Sequence, residues 1–382
     1  MKYYIIAGEA SGDLHGSNLI KALKIEDKAA DIKAWGGDMM QAAGADIRKH
    51  YRDLAFMGFL EVVKNLKTIL HNIAFCKKDI LAFQPDVVLF IDYPGFNLRI
   101  AKWAKKQGFK TFYYISPQIW AWHTSRVHGI KATIDRMFCI LPFEKDFYKQ
   151  YDYDVDYVGH PLLDVIHPVA ANLFADVRSA NKFAVTIALL PGSRKQEIEI
   201  MLPLMLSVVP YFPDYQFVIA AASSQALDFY ENIVKKALYT DLSRDNRVGG
   251  VSTDFKVKIV QNDTYNLLKT ATAALVKSGT STLETALFGV PQVVCYKGSN
   301  LSYQIARRVV TVKYISLVNL IADKMIVKEL IQNDLNTENL KRELAQAIEN
   351  QEIIKKDYKI LRGVLGNAGA SEKVAQLIIK YL

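Results

Sequence analysis

The chain contains few cysteines: its 382 residues include only Cys76, Cys139 and Cys295. These residues are far apart in the sequence, which excludes a disulfide framework and a CxxC metal site. Cys139 and Cys295 lie inside apolar runs, so we interpret them as core residues and all three as reduced thiols of a cytosolic protein. The sequence also has no HxxEH-type motif and no Cys/His cluster, and no metal or other cofactor is expected.

Long apolar runs are absent as well. No stretch reaches about 18 uncharged apolar residues, the length that a membrane-spanning helix needs. The opening MKYYIIAGEASGD has too short an apolar run for a secretion signal. The formal net charge of +9 suits an anionic partner such as acidic lipid or a phosphorylated substrate. Because the basic residues are scattered, nucleic acid is not expected as a partner.

Short apolar runs alternate with helical segments in both halves of the chain. The run Tyr3–Ala7 precedes a predicted helix over Leu14–Lys24, and Val185–Leu190 precedes one over Glu197–Val208. Asp86–Ile91 is continuously apolar, which is typical of a central strand in a parallel sheet. The pattern predicts an α/β fold with a doubly wound parallel sheet in each half. Further strands are predicted at Ile32–Trp35, Lys110–Ile115, Arg136–Ile140, Gln216–Ala221, Lys256–Val260, Ala273–Val276 and Gln292–Cys295.

The length predicts about two domains. We place the seam near His160 and Pro161, before a polar stretch over Asp164–Lys182. The predicted organisation is one Rossmann-like domain over 1–163 and a second over 164–345. Helices over 346–382 are predicted to pack back across the domains or onto a partner subunit.

The first candidate site is the turn after the first strand, Gly8 to Asp13. A helix N-terminus favours anions, and small residues such as Ser11 let a ligand approach the backbone. The Glu9 carboxylate would repel phosphate and better suits a sugar hydroxyl or a proton transfer. An equally good interpretation is a tight turn in which Asp13 caps a helix.

The second candidate is Asp92, which follows the run DVVLFI. It is therefore predicted at the carboxyl end of a parallel strand, where open α/β sheets bind ligands. Apolar neighbours raise the pKa of a carboxyl group, which suits a general base. The alternative is an aspartate that caps the turn before Pro94.

Two turns in the second half suit phosphate. Arg194 can form forked bonds to phosphate oxygens, and with Gly192 and Ser193 it resembles a diphosphate clamp. The alternative is a surface arginine. A second set of small and hydroxyl residues begins the helix after the strand AALVK, and Glu284 lies one turn later, placed for ribose hydroxyls. An ordinary capped helix is the alternative there. This second set is Ser278, Gly279 and Thr280.

Three other features allow two interpretations each. An apolar stripe with interspersed lysines could lie in a membrane interface, although core packing is the more usual explanation. Trp120, in the aromatic segment Ser116–Trp122, could line an acceptor pocket or belong to a packed loop. His160 could lie at the seam or be structural. The stripe comprises Phe59, Leu60, Val62, Val63, Leu66, Ile69, Leu70 and Ile73.

Nine strings along nearly the whole chain resemble the lipid-A-disaccharide synthase family, inverting glycosyltransferases of Gram-negative lipid A assembly. In order they are GEASGD, MGFLEV, IDYPGFN, SPQIWAW, LPFEK, VGHP, LLPGSR, SGTSTLE and ISLVNL. The resemblance implies a GT-B fold, in which two Rossmann-like domains face each other across a cleft and the C-terminal one binds UDP. It implies transfer from UDP-2,3-diacylglucosamine to 2,3-diacylglucosamine 1-phosphate (lipid X), giving the β-1,6-linked disaccharide 1-phosphate and UDP, without a metal.

The resemblance also implies a location and an assembly. The enzyme would work as a peripheral protein on the cytoplasmic face of the inner membrane, against phospholipid. The apolar stripe would dip into that membrane, which reverses the preference for core packing. C-terminal segments can be exchanged between subunits in this family, so a domain-swapped homodimer is compatible with the sequence.

The resemblance assigns roles by motif. Asp92 would deprotonate the acceptor 6-hydroxyl, Glu9 would be an essential carboxylate, Arg194 would bind diphosphate and Glu284 would bind ribose. Residues expected near the acceptor or cleft are Ser11, Asn97, Trp120, His160 and Asn319.

The sequence departs from the family at two positions. Many members have a second aspartate where this chain has Gly95, and some have proline at Val318. The alternative function is another GT-B enzyme acting on UDP-GlcNAc, either an epimerase or a transferase of the lipid II type. A non-enzymatic sugar-nucleotide or lipid-binding module is a more distant one. A soluble epimerase would need no membrane helix, and Asp92→Asn would separate an enzyme from a binding module.

Overall fold

The computed structural model describes residues 1–54, 66–170, 185–239, 256–299 and 312–382, together with 303, 304, 308 and 310. The contacts divide the chain into two units. The first comprises Met1–Val165 and Leu365–Leu382, and the second comprises Ile166–Val364. The predicted boundary at 163/164 lies close to the first division. The chain returns to the first unit at Leu365, later than the predicted 346.

The first unit contains a parallel sheet of seven strands, in the order β3-β2-β1-β4-β5-β6-β7. The first six positions have the strand order of a Rossmann fold. The strands are β1 (Lys2–Ala7), β2 (Asp31–Gly36), β3 (Asp46–His50), β4 (Val87–Ile91), β5 (Lys110–Tyr114), β6 (Arg136–Cys139) and β7 (Asp156–Tyr157). The helices are α1 (Ala10–Glu26), α2 (Asp38–Ala42), α3 (Leu66–Phe83), α4 (Pro94–Lys106), α5 (Ile119–Trp122), α6 (Arg126–Thr133), α7 (Glu144–Lys149) and α8 (Leu162–Ala170).

Both faces of this sheet are buried, and alternate side chains of its strands belong to different clusters. In β1, Tyr3 and Ile5 join one buried cluster, whereas Tyr4 and Ile6 join the other. Successive residues of a strand point to opposite faces, so a continuously apolar strand requires helices on both sides. The last helix of the chain, α16 (Ala370–Tyr381), supplies part of one layer by packing against α1.

The second unit repeats this plan with six parallel strands in the order β10-β9-β8-β11-β12-β13. The strands are β8 (Val185–Leu190), β9 (Tyr215–Ala221), β10 (Val257–Gln261), β11 (Ala271–Lys277), β12 (Gln292–Tyr296) and β13 (Lys328–Ile331). The helices are α9 (Lys195–Leu206), α10 (Leu227–Tyr239), α11 (Thr264–Thr270), α12 (Thr280–Leu287), α13 (Leu317–Ala322), α14 (Thr337–Glu349) and α15 (Gln351–Leu365).

Helices α14 and α15 explain the late return of the chain. Helix α14 contacts three strands of the second sheet. From α15, the hydroxyl of Tyr358 accepts a hydrogen bond from Gln292 at the start of β12 (3.2 Å). Both helices therefore belong to the second unit, and the chain rejoins the first unit at Leu365.

The predicted fold class, two doubly wound parallel α/β sheets, is confirmed. Three strands escaped prediction: Asp46–His50, Asp156–Tyr157 and Lys328–Ile331. All three lie at an edge of their sheet. Edge strands are short and polar, so they lack the continuous apolar run that identifies a central strand.

Candidate functional site

The two sheets share a feature that locates a ligand site in each. Their strand order reverses between β1 and β4 in the first unit and between β8 and β11 in the second. Open α/β sheets bind ligands at the carboxyl ends of the strands beside such a reversal. The turns there begin at Gly8 and Asp92 in the first unit, and at Pro191 and Ser278 in the second. The motifs singled out in the sequence are therefore the segments that flank the two reversals.

Asp92 lies on a sharp turn between β4 and α4. Both Asp92 (φ +46°) and Tyr93 (φ +50°) adopt the left-handed conformation, which is uncommon for residues other than glycine. The carbonyl of Asp92 accepts hydrogen bonds from the Asn97 side-chain amide (2.7 Å) and from the Tyr113 hydroxyl. Asn97 also donates to the carbonyl of Ile6 in β1 (3.3 Å). These bonds hold the strained turn against the sheet.

The Asp92 carboxyl group has a raised pKa. Burial, and then the nearby Glu9 carboxylate, raise its pKa from 3.8 to about 6, while a backbone N–H bond from Tyr93 opposes the rise. A carboxylate with a pKa near 6 is ionised at neutral pH and is a stronger base than an ordinary aspartate. The structure thus places Glu9 and Asp92 on adjacent turns, as their positions after paired strands require.

In the first turn, Gly8 and Asp13 both make contacts within the protein. A Cβ atom added to Gly8 would lie 2.3 Å from the Tyr93 ring, so glycine is required there by a side chain of the protein. Asp13 does cap a helix, but it caps α2 rather than its own helix. Its carboxylate accepts bonds from the N–H groups of Gly37 (2.7 Å) and Met40 (3.0 Å). Ser11 is exposed on the first turn of α1.

The aromatic segment after β5 is organised by Glu144, a residue whose importance the sequence did not reveal. The buried Glu144 carboxylate accepts bonds from Ser116 Oγ (2.6 Å), Trp120 Nε1 (3.2 Å) and the Leu141 N–H (2.9 Å). Burial raises its pKa to about 7. Trp120 is buried and packs edge-on against Phe143 at 4.8 Å. Trp120 therefore belongs to a packed segment. A role of Trp120 in binding the acceptor stays a prediction.

His160 is a buried histidine of the first unit. Burial, and then the neighbouring His15, lower its pKa from 6.5 to about 3. Its Nδ1 accepts the backbone N–H of Leu162 at 3.3 Å. His160 is therefore neutral at physiological pH, and its site role stays a prediction.

In the second unit, the turn after β8 carries the predicted cation. Gly192 has φ +107°, a conformation that favours glycine. Arg194 is half exposed, and its guanidinium lies 3.5 Å from Glu197 in the first turn of α9. The same carboxylate accepts a bond from Lys277 Nζ at 2.8 Å. Sequence inspection missed Glu197 and Lys277, although Lys277 directly precedes the SGT motif.

The turn after β11 begins helix α12. The N–H of Ser278 donates to the carbonyl of Cys295 (2.9 Å), and its hydroxyl donates to the carbonyl of Ile315 (3.0 Å). Gly279 and Thr280 are exposed at the helix start. One turn later, Glu284 accepts the Tyr265 hydroxyl at 3.0 Å, and burial raises its pKa. A carboxylate at the edge of a helix N-terminus is a suitable acceptor for sugar hydroxyls.

Asn319 is completely buried, and its amide bonds lie within the second unit. It donates to the carbonyl of Val327 (2.8 Å) and to Glu329 Oε1 (2.9 Å). Its oxygen accepts the N–H groups of Ile326 (2.8 Å) and Val327 (3.0 Å). In this arrangement Asn319 positions the segment between α13 and β13.

The apolar stripe is only partly described. Phe59, Leu60, Val62 and Val63 lie outside the described residues, and Leu66 is the first residue of α3. Leu70 is 55% exposed, and Leu81, three turns later on the same face, is 42% exposed. Ile69 is partly exposed, whereas Ile73 packs against the core. The outer face of α3 therefore carries exposed apolar side chains. Among the helices that the structure describes, none is long and apolar enough to cross a bilayer.

Within the described ranges, no three His, Cys, Asp or Glu side chains lie together as a metal site would require. The expectation that no metal or other cofactor takes part stays a prediction.

Comparison with known proteins decides the family. The family model described as lipid-A-disaccharide synthetase matches residues 3–379. A lipid-A-disaccharide synthase of Syntrophus aciditrophicus is 38% identical, with 99% of this chain and 97% of that protein covered. One from Coxiella burnetii is 34% identical, with 98% and 96% covered. The chain belongs to the lipid-A-disaccharide synthase family. It is an enzyme of lipid A biosynthesis and a glycosyltransferase.

Solved structures support the same fold at low sequence identity. UDP-GlcNAc 2-epimerase from Neisseria meningitidis, bound to UDP-GlcNAc, aligns with a TM-score of 0.67 at 13% identity, with both chains fully covered. The glycosyltransferase of kitacinnamycin aligns with a TM-score of 0.64 at 12% identity, covering 100% of this chain and 99% of that one. At such identities the likeness concerns the fold alone. The lipid-A-disaccharide synthase family therefore shares the GT-B architecture with epimerases of different chemistry.

Proposed function

We propose that the enzyme condenses UDP-2,3-diacylglucosamine with 2,3-diacylglucosamine 1-phosphate. The products are the β-1,6-linked disaccharide 1-phosphate and UDP, formed with inversion at the anomeric carbon. The observation that carries the proposal is Asp92, a carboxyl group beside a strand reversal with its pKa raised to about 6. Inversion in one displacement needs a base that activates the acceptor hydroxyl, and the membership of the chain in the lipid-A-disaccharide synthase family supports the proposed substrates.

Asp92 acts as the general base. At pH 7 to 8 its carboxylate is ionised, and it accepts the proton of the acceptor 6-hydroxyl as that oxygen attacks the anomeric carbon. Burial, and then repulsion from Glu9, keep the Asp92 pKa high. The bonds from Asn97 and Tyr113 to the Asp92 carbonyl hold the turn in place, because a base that shifts by about 1 Å loses much of its effect.

The second unit stabilises the leaving UDP. Negative charge develops on the diphosphate as the glycosidic bond breaks, and fixed positive groups lower the barrier. Arg194, with Gly192 and Ser193, would bind the diphosphate. The helix start at Gly279 and Thr280 adds N–H groups and a favourable dipole, and Ser278 holds this turn through its bonds to Cys295 and Ile315. Glu284 would accept the ribose hydroxyls, and no metal is required in this scheme.

The acyl chains of both substrates require a lipid surface nearby. We propose that the enzyme is peripheral on the cytoplasmic face of the inner membrane. The exposed apolar face of α3, with Leu70 and Leu81, supports this proposal, as does the net positive charge of the chain. Ser11, Asn97, Trp120, His160 and Asn319 would line or support the acceptor side. A homodimer with exchanged C-terminal segments is a further prediction, which sedimentation analysis tests.

The test is a mass-spectrometric assay with both acylated substrates and EDTA present. We expect an acylated disaccharide 1-phosphate and stoichiometric UDP, with a β linkage by NMR. UDP-GlcNAc without acyl chains is the control donor and should give little product. Conversion of UDP-GlcNAc into its 2-epimer, without transfer to the acceptor, would contradict the proposal in favour of an epimerase. Loss of all activity in EDTA, restored by a divalent ion, would contradict the metal-free scheme.

A further inference from the structure

Lys277 lies beside the turn after β8 that carries Gly192 and Arg194, here called the diphosphate turn. It belongs to none of the sequence motifs described above. It is the last residue of β11, and β11 pairs with β8 so that Val276 lies opposite Leu190. The segment that follows Leu190 is the turn with Gly192 and Arg194. A Cβ atom built on Gly192 would lie 3.6 Å from Cδ of Lys277. The lysine stem therefore runs along this turn at the strand reversal of the second sheet.

The charged groups at this turn form a small cluster. The Glu197 carboxylate lies 2.8 Å from Lys277 Nζ and 3.5 Å from Arg194. Two cations thus flank one carboxylate. The Lys277 side chain is only 20% exposed, against 51% for Arg194. A cation shielded from solvent loses less of its attraction for an anion to screening.

We propose that Lys277 is a second cation of the diphosphate site and donates a hydrogen bond to a phosphate oxygen of the bound UDP moiety. An ammonium group has three N–H donors, and the bond to Glu197 uses one of them. Glu197 can therefore hold the lysine while another donor faces the ligand. The diphosphate of a UDP-sugar carries two negative charges, and Lys277 offsets the repulsion that the Glu197 carboxylate would otherwise add beside Arg194. The inference rests on the proposed use of a UDP-sugar donor.

The direct test compares UDP binding by the full-length enzyme and its Lys277→Met variant. Calorimetry should show UDP affinity weakened roughly tenfold, because a charge-assisted bond is lost. The affinity for uridine, measured by competition, should be unchanged, since uridine has no phosphate. Lys277→Arg should recover most of the UDP affinity. Lys341→Met, which changes an exposed lysine paired with Glu338, is the matched control and should bind UDP normally.

A second comparison separates direct contact from an effect through Glu197. In the Lys277→Met variant, Glu197 could hold Arg194 more tightly and weaken UDP binding indirectly. Lys277→Met is therefore also measured in a Glu197→Gln background, where no carboxylate remains at position 197 to pair with Arg194. A further loss of UDP affinity there supports the direct contact. An unchanged affinity would overturn it, as would equal losses for UDP and uridine. If the unmodified enzyme neither binds UDP nor forms product, the proposed function fails instead.

Discussion

Replacing Asp92 by asparagine should abolish most activity and at the same time stabilise the fold at neutral pH. Asparagine has nearly the same shape, and it tolerates the left-handed backbone (φ +46°) at this position. Its amide cannot accept a proton from the acceptor hydroxyl, so kcat should fall by about 100- to 10,000-fold. UDP affinity should not change, because the change lies in the other unit from the diphosphate turn.

The gain in stability follows from the displaced pKa. The Asp92 pKa is about 6 in the folded protein, against 3.8 for an ordinary aspartate. Between these values the native state binds more protons than the unfolded state, so the free energy of unfolding falls as the pH rises. The full displacement corresponds to about 3 kcal/mol, which the partial exposure of the side chain reduces to about 1–2 kcal/mol. Asp92→Asn removes this cost above pH 6.

Two measurements test the reasoning. Thermal unfolding at pH 8 should show a midpoint for Asp92→Asn that is higher by roughly 2–6 °C, and the difference should vanish at pH 3.5. In the unmodified enzyme, kcat/KM should rise with pH through about 6 and then level off, as ionisation of Asp92 requires. Turnover of the asparagine variant at the normal rate would refute the assignment of the base. A difference in stability that did not depend on pH would refute its electrostatic cause.

Three further outcomes are expected. Arg194→Ala should weaken UDP binding by roughly 10- to 100-fold in calorimetry, and an unchanged affinity would remove it from the diphosphate site. Asn319→Ala leaves the buried N–H of Val327 and the partly buried N–H of Ile326 without an acceptor and should lower the urea-derived free energy of unfolding by about 2–4 kcal/mol. Lost activity at full stability would instead indicate direct substrate contact. Leu70→Glu with Leu81→Glu should release the folded protein from anionic vesicles in a flotation assay, whereas Ile25→Glu, at a more exposed position on α1, should not. Unfolding of the double variant would favour a core role for this face.

The central strands could be predicted from the sequence because they are covered on both faces. Val87–Ile91 and Val185–Leu190 are almost entirely apolar, and such runs leave little alternative to a buried parallel strand. The edge strands β3, β7 and β13 could not be predicted in the same way. Asp46–His50 is mostly polar and partly exposed, so its strand conformation comes from pairing with β2 rather than from its own composition.

The residues of the candidate site likewise include some that the sequence could predict and some that it could not. Asp92 and Arg194 could be singled out because each follows an apolar run, and position along the chain indicates the end of a strand. Their partners come from distant segments. Lys277 lies beside Arg194 only because β11 pairs with β8, and Tyr113 reaches the Asp92 carbonyl only because β5 pairs with β4. No local pattern contains these pairings.

The order of the motifs along the chain was by itself sufficient to determine the family and the pair of doubly wound sheets, since both depend on residues that are near in sequence. The tertiary structure alone decided which charged groups interact. Glu9 raises the pKa of Asp92, Glu197 pairs with both Arg194 and Lys277, and Glu144 accepts hydrogen bonds from the aromatic segment. The physical reason is that pKa values and ion pairs depend on burial and on distances of a few ångströms. The pairing of strands far apart in the chain sets those distances.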